Sequence, residues 1–467
     1  MVHNIAFVGL GPMGRSFAQN LMSHGLQVKA WEQDPEVRQQ VAHQIQPDAL
    51  ASSLETMISS LQSPRDIFLF LPSGKPVDDT LDLLYGQLEP GDIIADCGNS
   101  HYLETERRQR RFEGIGVDFI GIGVSGGPKG ARTGPAIMAG GNQASWQKLQ
   151  PVLESVSAVS EGTPCCDYFG QGGAGHFVKM VHNGIEYGIM HLLAELHTYL
   201  KMGCGMGPDE IASTFDLLNN NLTAGYLTEI TAKVVNARTH PGGQPLIQLV
   251  DDAAEQKGTG RWTVRAALDF GVAIPTISEA VMLRSLSSNR ALRQEASGEH
   301  SKAVSPPHEL KAADMAHVGS ALALAFLSTF AQGLTLISAV DHTFGKRLDR
   351  AAILRTWRQG CILSGEMVAA LLEAIDSNPD RQNVLLGGRF PELVQSGLPA
   401  LRSLTGDAIS VGTPMAGFAS ALAYVELLDR APWPGGLIQL QRDYFGSHGL
   451  RHKDTGAIFH GPWHEGD

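Results

Sequence analysis

Between His176 and Gly188 the chain reads His-Phe-Val-Lys-Met-Val-His-Asn-Gly-Ile-Glu-Tyr-Gly. Lys179, His182, Asn183 and Glu186 fall at i, i+3, i+4 and i+7. That spacing places all four on one face of an α-helix. An amine, an imidazole, an amide and a carboxylate on one stripe provide a base and an acid for proton transfer. Seven residues span about 10.5 Å of helix axis, so the lysine and the glutamate can serve different carbons of one extended substrate. A lysine acts as a base only when neutral, which requires burial or nearby cations. Gly184 in mid-helix costs ~1 kcal/mol relative to Ala, so a close packing neighbour is expected there.

A second constellation lies far upstream. Gly9-Leu10-Gly11-Pro12-Met13-Gly14 is a Gly-x-Gly-x-x-Gly between an apolar run, Ile5–Val8, and a helical pattern, Met13–Ser23. Such glycines permit a tight turn and close backbone approach to a pyrophosphate, and the helix N-terminus favours its charge. A second strand, Gln27–Trp31, ends in Glu32-Gln33-Asp34. An acid here accepts hydrogen bonds from the ribose hydroxyls of NAD. Against the 2′-phosphate of NADP it repels by up to ~4 kcal/mol per charge pair, at ~4 Å and an effective dielectric of about 20. No arginine stands in that turn. The expected coenzyme is NAD(P), with NAD preferred.

These residues need elements to hold them. Asp66–Leu71, Asp92–Asp96, Val117–Ile122 and Ala136–Ala139 read as further strands. Helical stretches at Pro35–Gln44, Val77–Leu88 and Tyr102–Gly114 alternate with strands, which implies a parallel sheet with helices on both faces. After the glycine-rich stretch Gly170–Gly175 the pattern becomes helical, over Val178–Met202, Asp209–Asn220, Tyr226–Ala237, Ala312–Val340, Asp349–Ile375 and Met415–Leu428. The polar 288–310 stretch reads as an exposed connection. The expected fold is therefore an α/β Rossmann-type N-terminal domain (1–174), an all-α domain (175–430) and a C-terminal tail (431–467). Leu437, Ile438, Tyr444, Phe445 and Trp463 in the tail need burial, and the tail is too short for a core of its own. Docking on a partner subunit is expected.

The totals narrow the function classes. At 467 residues more than one domain is expected. The net charge of −12 argues against nucleic-acid or anionic-membrane binding. No Cys-x-x-Cys occurs among the five cysteines, so a zinc site is not expected and a reducing, cytoplasmic setting is. The N-terminal run reads as a first strand rather than a signal peptide. No apolar run approaches a membrane span's length, so no membrane span is expected. The charged run Glu104–Arg111 reads as a solvated helix face.

Five stretches together carry a resemblance. They are Asp96-Cys-Gly-Asn-Ser100, Gly123-Val-Ser-Gly-Gly127, the Lys179 helix, Gln256-Lys-Gly-Thr-Gly-Arg-Trp262 and the Arg442…His448 tail. The chain resembles the decarboxylating 6-phosphogluconate dehydrogenases, from the first strand almost to the C-terminus. Gly173–Gly188 is specific to that family, while the wider β-hydroxyacid dehydrogenases share only the architecture and the lysine. The resemblance implies Lys179 as general base and Glu186 as general acid. It implies that Asn99, Ser125, Gly126, Gly127, His182 and Asn183 hold the carboxylate and hydroxyls of 6-phosphogluconate. Tyr187, Lys257, Thr259, Arg284 and Arg442 match the phosphate site, and His448 also touches substrate. The coenzyme positions are Gly9, Leu10, Gly11, Pro12, Met13, Gly14, Glu32, Gln33, Asp34, Leu71, Pro72, Ser73 and Asn99. Arg442 and His448 would come from the other subunit of a homodimer, or of a dimer of dimers. No metal is required. Many family members carry Asn-Arg-Thr where Glu32-Gln33-Asp34 stands, and a lysine where Leu71-Pro-Ser73 stands. Two rival readings are a β-hydroxyacid dehydrogenase for a smaller acid and a non-catalytic dinucleotide sensor.

Overall fold

The computed structural model describes residues 4–299, 314–340, 343–430 and 433–464. Contacts divide the chain into two compact units, 1–421 and 422–467. In the first, seven strands form one sheet: β1 (Ile5–Val8), β2 (Val28–Trp31), β3 (Asp66–Leu69), β4 (Ile93–Asp96), β5 (Asp118–Val124), β6 (Ile137–Gly140) and β7 (Cys166–Tyr168). Their order is β2-β1-β3-β4-β5-β6-β7. All neighbours pair in parallel except β5 and β6, which are antiparallel. The sheet is thus mixed, where an all-parallel one was expected. The short helix Gly127–Thr133 does not carry the chain across the sheet, and β6 returns beside β5 in the opposite sense.

The strands are short, and apart from the edge strands β2 and β7 they are buried on both faces, as a sheet covered by helices requires. Phe7, Phe17, Phe68 and Phe70 stack on one face, with ring centroids 5.0–6.4 Å apart. The fully buried rings of Phe7, Phe17 and Phe68 each contribute about 1.5–3 kcal/mol. Ala6, Val8, Ile67, Leu69, Ile94 and Phe119 pack beneath the other face.

The helix Ala174–Thr198 carries Lys179 and lies against β5 and β6 at glycine-only distance. A Cβ on Gly175 would meet Gly121 O and Met138 O at 2.5 Å, and one on Gly140 would meet Gly175 N at 2.3 Å. A Cβ on Gly123 would meet Lys179 Cβ at 2.3 Å. The neighbour expected at Gly184 is Thr263, whose Cγ2 lies 2.6 Å from the position a Cβ would take. Thr263 also donates to Met180 O at 2.9 Å.

Three expectations need correction. Asp349–Ile375 is two helices, Arg350–Trp357 and Glu366–Ser377. They are separated because Gly360 adopts a φ of +69° and its carbonyl accepts from Ala136 N at 2.9 Å. The 288–310 stretch contains a helix, Arg290–Glu299, held by Arg290–Asp251 and Arg293–Asp252 ion pairs; residues 300–310 lie outside the described ones. Asp314–Ala339 is long and apolar enough to cross a membrane by length and composition, but 89% of its most apolar window is buried inside the protein. Thr329 donates to Ala325 O there, and Gln332 donates to Ser328 Oγ and to Thr276 Oγ1 of a neighbouring helix and accepts from Thr276 N. Helices Thr259–Asp269, Pro275–Ser288 and Phe390–Ser410 were not anticipated. Each opens on or beside a glycine or proline, which masks its period.

The second unit contains the helix Gly435–Gly446 and a hairpin pairing Leu450–Arg451 with Ile458–Phe459. Its centre is Asp443, fully buried, whose carboxylate accepts from Gly449 N, Gly461 N, His460 Nδ1 and Trp463 Nε1 at 2.8–3.1 Å. These bonds hold its pKa below the ordinary carboxylate value despite burial.

Gly175 and Gly406 provide opposite tests of this packing. Gly175→Ala meets backbone on two sides and should destabilise by about 1–3 kcal/mol. Gly406→Ala, within a helix and with open space around it, should stabilise by about 1 kcal/mol. Denaturant unfolding followed by circular dichroism measures both; equal effects would refute the close-packing account.

Candidate active site

Lys179, His182, Asn183 and Glu186 do share one face, and the face is enclosed. Lys179 and His182 are 6% and 0% exposed, and Asn183 is buried. Lys179 Nζ lies 3.3 Å from His182 Nδ1, which is 3.2 Å from Asn183 Oδ1. His182 Nε2 lies 3.4 Å from Ser125 Oγ. Ser125 is positioned by the end of β5 and by the left-handed Gly126 (φ +107°), whose missing Cβ admits Gly360 O at 2.6 Å. Glu186 sits a turn further along, its carboxylate 3.9 Å from His182 Nδ1 and its side chain 22% exposed.

Burial sets the charge states. It holds the Lys179 amine below its ordinary pKa, against the opposing pull of Glu186 and Cys361. It pushes Glu186 up, with Lys179 and Arg284 acting the other way. His182 is driven well below its usual value by burial and by Lys179. A neutral imidazole has one donor and one acceptor nitrogen. With its proton on Nδ1, His182 donates to Asn183 Oδ1 beside the lysine and accepts from the Ser125 hydroxyl at Nε2.

Two residues of this pocket were missed in the sequence. Trp357 presents its edge to His182 at 5.3 Å between centroids and donates its Nε1–H to Met138 Sδ. Cys361 is a buried thiol whose pKa is pushed up to about 12 by burial. Both lie in the stretch read as one continuous helix; Gly360 beside Cys361 was the available signal of a break.

The phosphate candidates gather in part. Arg284 lies over the Tyr187 ring at 3.6 Å and donates to Glu255 O. A Cβ on Gly260 would meet Tyr187 Cε2 at 2.5 Å, which brings Thr259 beside that ring. Lys257 is exposed on the same segment. Arg442 and His448 are exposed residues of the second unit.

At the glycine motif, Gly9 (φ +93°) and Gly14 pack where a Cβ would strike Phe70 O and Gly9 O at 2.4 and 2.1 Å. Leu10 is buried, whereas Gly11, Pro12 and Met13 are at least partly exposed at the helix start. Gly11 has open space where its Cβ would be, as an approach path for a ligand requires. Glu32 Oε2 accepts from Leu10 N at 2.6 Å and Oε1 from Asp34 N at 3.0 Å. Asp34 caps the helix Pro35–Val41, and Gln33 is exposed. Leu71, Pro72, Ser73 and Asn99 occupy the loops after β3 and β4, partly or fully exposed. A glycine turn at a helix start with a carboxylate at the end of β2 fits a dinucleotide.

Residues 4–170 match the NAD binding domain of 6-phosphogluconate dehydrogenase, and 175–463 match that enzyme's C-terminal domain. The chain belongs to the 6-phosphogluconate dehydrogenase family. Relatives include the NADP(+)-dependent decarboxylating enzyme of Bacillus subtilis, 38% identical over 98% of both chains. The NAD(+)-dependent decarboxylating enzyme of the same organism is 36% identical over 100% of both. The solved Plasmodium falciparum enzyme, described in apo form and with NADP+ or 6-phosphogluconate, is 30% identical with a TM-score of 0.91. That match covers 98% of this chain and 100% of that one. The family thus contains relatives of either coenzyme dependence, and the chain is an NAD(P)-dependent oxidoreductase.

The charge state of Lys179 can be read without turnover. Competitive labelling of its amine by acetic anhydride across alkaline pH should give a midpoint below the ordinary lysine value of ~10.4. In Glu186→Gln the midpoint should fall further, because a carboxylate that favours the charged amine is gone. A midpoint at or above the ordinary value would contradict the burial argument.

Proposed function

We propose that the chain catalyses oxidative decarboxylation of 6-phospho-D-gluconate to D-ribulose 5-phosphate and CO₂ with reduction of NAD(P), as a cytoplasmic enzyme of the pentose phosphate pathway. The observation that carries this reading is the buried Lys179 amine, held towards neutrality beside His182 and Ser125. The bound nicotinamide supplies the hydride acceptor. Lys179 takes the C3 hydroxyl proton as the alcohol is oxidised. Protonated, it then polarises the new ketone, and the β-keto acid loses CO₂. Glu186, whose carboxyl is held up by burial, donates a proton to C1 of the resulting enediol. Asn99, Ser125, Gly126, Gly127, His182 and Asn183 hold the sugar acid. Tyr187, Lys257, Thr259 and Arg284 take its phosphate.

The three-part division at 174/175 and 430/431 belongs to the same proposal, as does a homodimer in which Arg442 and His448 complete the partner's site. Trp433, Leu437, Tyr444 and Phe445 of the second unit are 57–72% exposed, an apolar surface of the kind a partner subunit covers. The coenzyme is NAD in preference to NADP. Glu32 stands at the ribose position, anchored on Leu10, and no arginine stands at 32–34 to meet a 2′-phosphate.

Steady-state assays with 6-phosphogluconate test the reading. Lys179→Met should lower kcat about 10²–10⁴-fold while coenzyme binding persists. In the native chain kcat/KM should be higher with NAD than with NADP, and gluconate should be a far poorer substrate. Full activity in Lys179→Met would overturn the role of the lysine. Equal use of both coenzymes would overturn the preference.

A further inference from the structure

The helix Tyr102–Glu113 was expected to bear only solvated charge, yet Arg108 on it is fully buried. Its guanidinium reaches two loops at once. Nη2 donates to Gly74 O at 3.2 Å, at the end of the loop after β3. Nη1 donates to Ser100 Oγ at 3.2 Å and lies 3.6 Å from Asp96 Oδ2, in the loop after β4. Nε donates to Asp78 Oδ1 at 2.9 Å, on the helix that follows Gly74. Asp96, also fully buried, takes up the rest of its own loop, accepting from Ser100 Oγ at 2.6 Å and from Gly98 N at 3.0 Å. Asn99, between those two residues, is left exposed. The loops touch through backbone, since a Cβ on Gly98 would meet Leu71 O at 2.7 Å.

We infer that Arg108 is a positioning residue for the coenzyme, setting the separation of the 71–74 loop from Asn99. A buried cation is costly unless each donor is used. Here the fork is used in three directions, which a lysine's point charge cannot reproduce. The same helix also meets the catalytic helix, through Thr105 Oγ1 and His176 Nδ1 at 2.6 Å. His176 lies one turn before Lys179, so a single element registers the coenzyme loops against the base.

The inference rests on the coenzyme site proposed above. Arg108→Lys and Asp78→Asn test it by calorimetric titration with NAD, titration with 6-phosphogluconate in the absence of coenzyme, and steady-state kinetics. Arg108→Lys should raise the Kd and KM for NAD about tenfold while leaving the Kd for 6-phosphogluconate within about twofold. Asp78→Asn, at a part-exposed position that the fold tolerates more easily, should raise the Kd for NAD about threefold. Native NAD affinity in Asp78→Asn, or a parallel loss of NAD and substrate affinity in a folded Arg108→Lys, would overturn the positioning role. Because NAD binding is read directly, an inability of the native chain to oxidise 6-phosphogluconate would count against the proposed reaction and not against this inference.

Discussion

The site depends on how closely one helix can approach one sheet. Gly121, Gly123, Gly140 and Gly175 leave no Cβ where the Lys179 helix comes closest to β5 and β6. Backbone then meets backbone, and the lysine emerges already buried. Its depressed pKa follows from that position more than from any partner, since the nearby Glu186 and Cys361 act the other way. A helix standing one side chain further from the sheet would leave the amine wetter, charged and unable to accept a proton.

The same approach fixes the neighbours. Ser125 lies at the end of β5, so the strand that receives the helix also delivers the hydroxyl to His182. Trp357 closes the far side, and it is there because Gly360 interrupts a helix and hands its carbonyl to Ala136. On the coenzyme side, Glu32 ties the end of β2 to the glycine turn. Arg108 ties the loops after β3 and β4 to each other. The Lys179 face and the glycine turn, over a hundred residues apart in sequence, are thus both carried by one sheet.

Much of this was legible in the residues because its causes are local. A glycine turn between strand and helix, and four polar groups at helical spacing, follow from short-range geometry. What was not legible depends on long-range contacts. Arg108 sits in a run of charges whose other members are exposed or half-buried, and only the positions of Gly74, Asp96 and Ser100 make it a core residue. The antiparallel β6 has the same apolar sequence as a parallel strand. Asp314–Ala339 is apolar because it is surrounded by other helices, and the same composition would suit a lipid environment. Gly184 was legible as a close contact, but its partner Thr263 was not, since the helix carrying it opens on Gly258 and Thr259.

The most direct measurement is the activity of Gly123→Ala, which adds one methyl group between the sheet and the Lys179 stem. The account predicts that kcat falls about 10²-fold, as expected for a displacement of order 1 Å at a catalytic group. Coenzyme affinity should stay native, and the chain should remain folded by circular dichroism. Native kcat in folded Gly123→Ala would contradict the claim that helix–sheet approach places and neutralises the base.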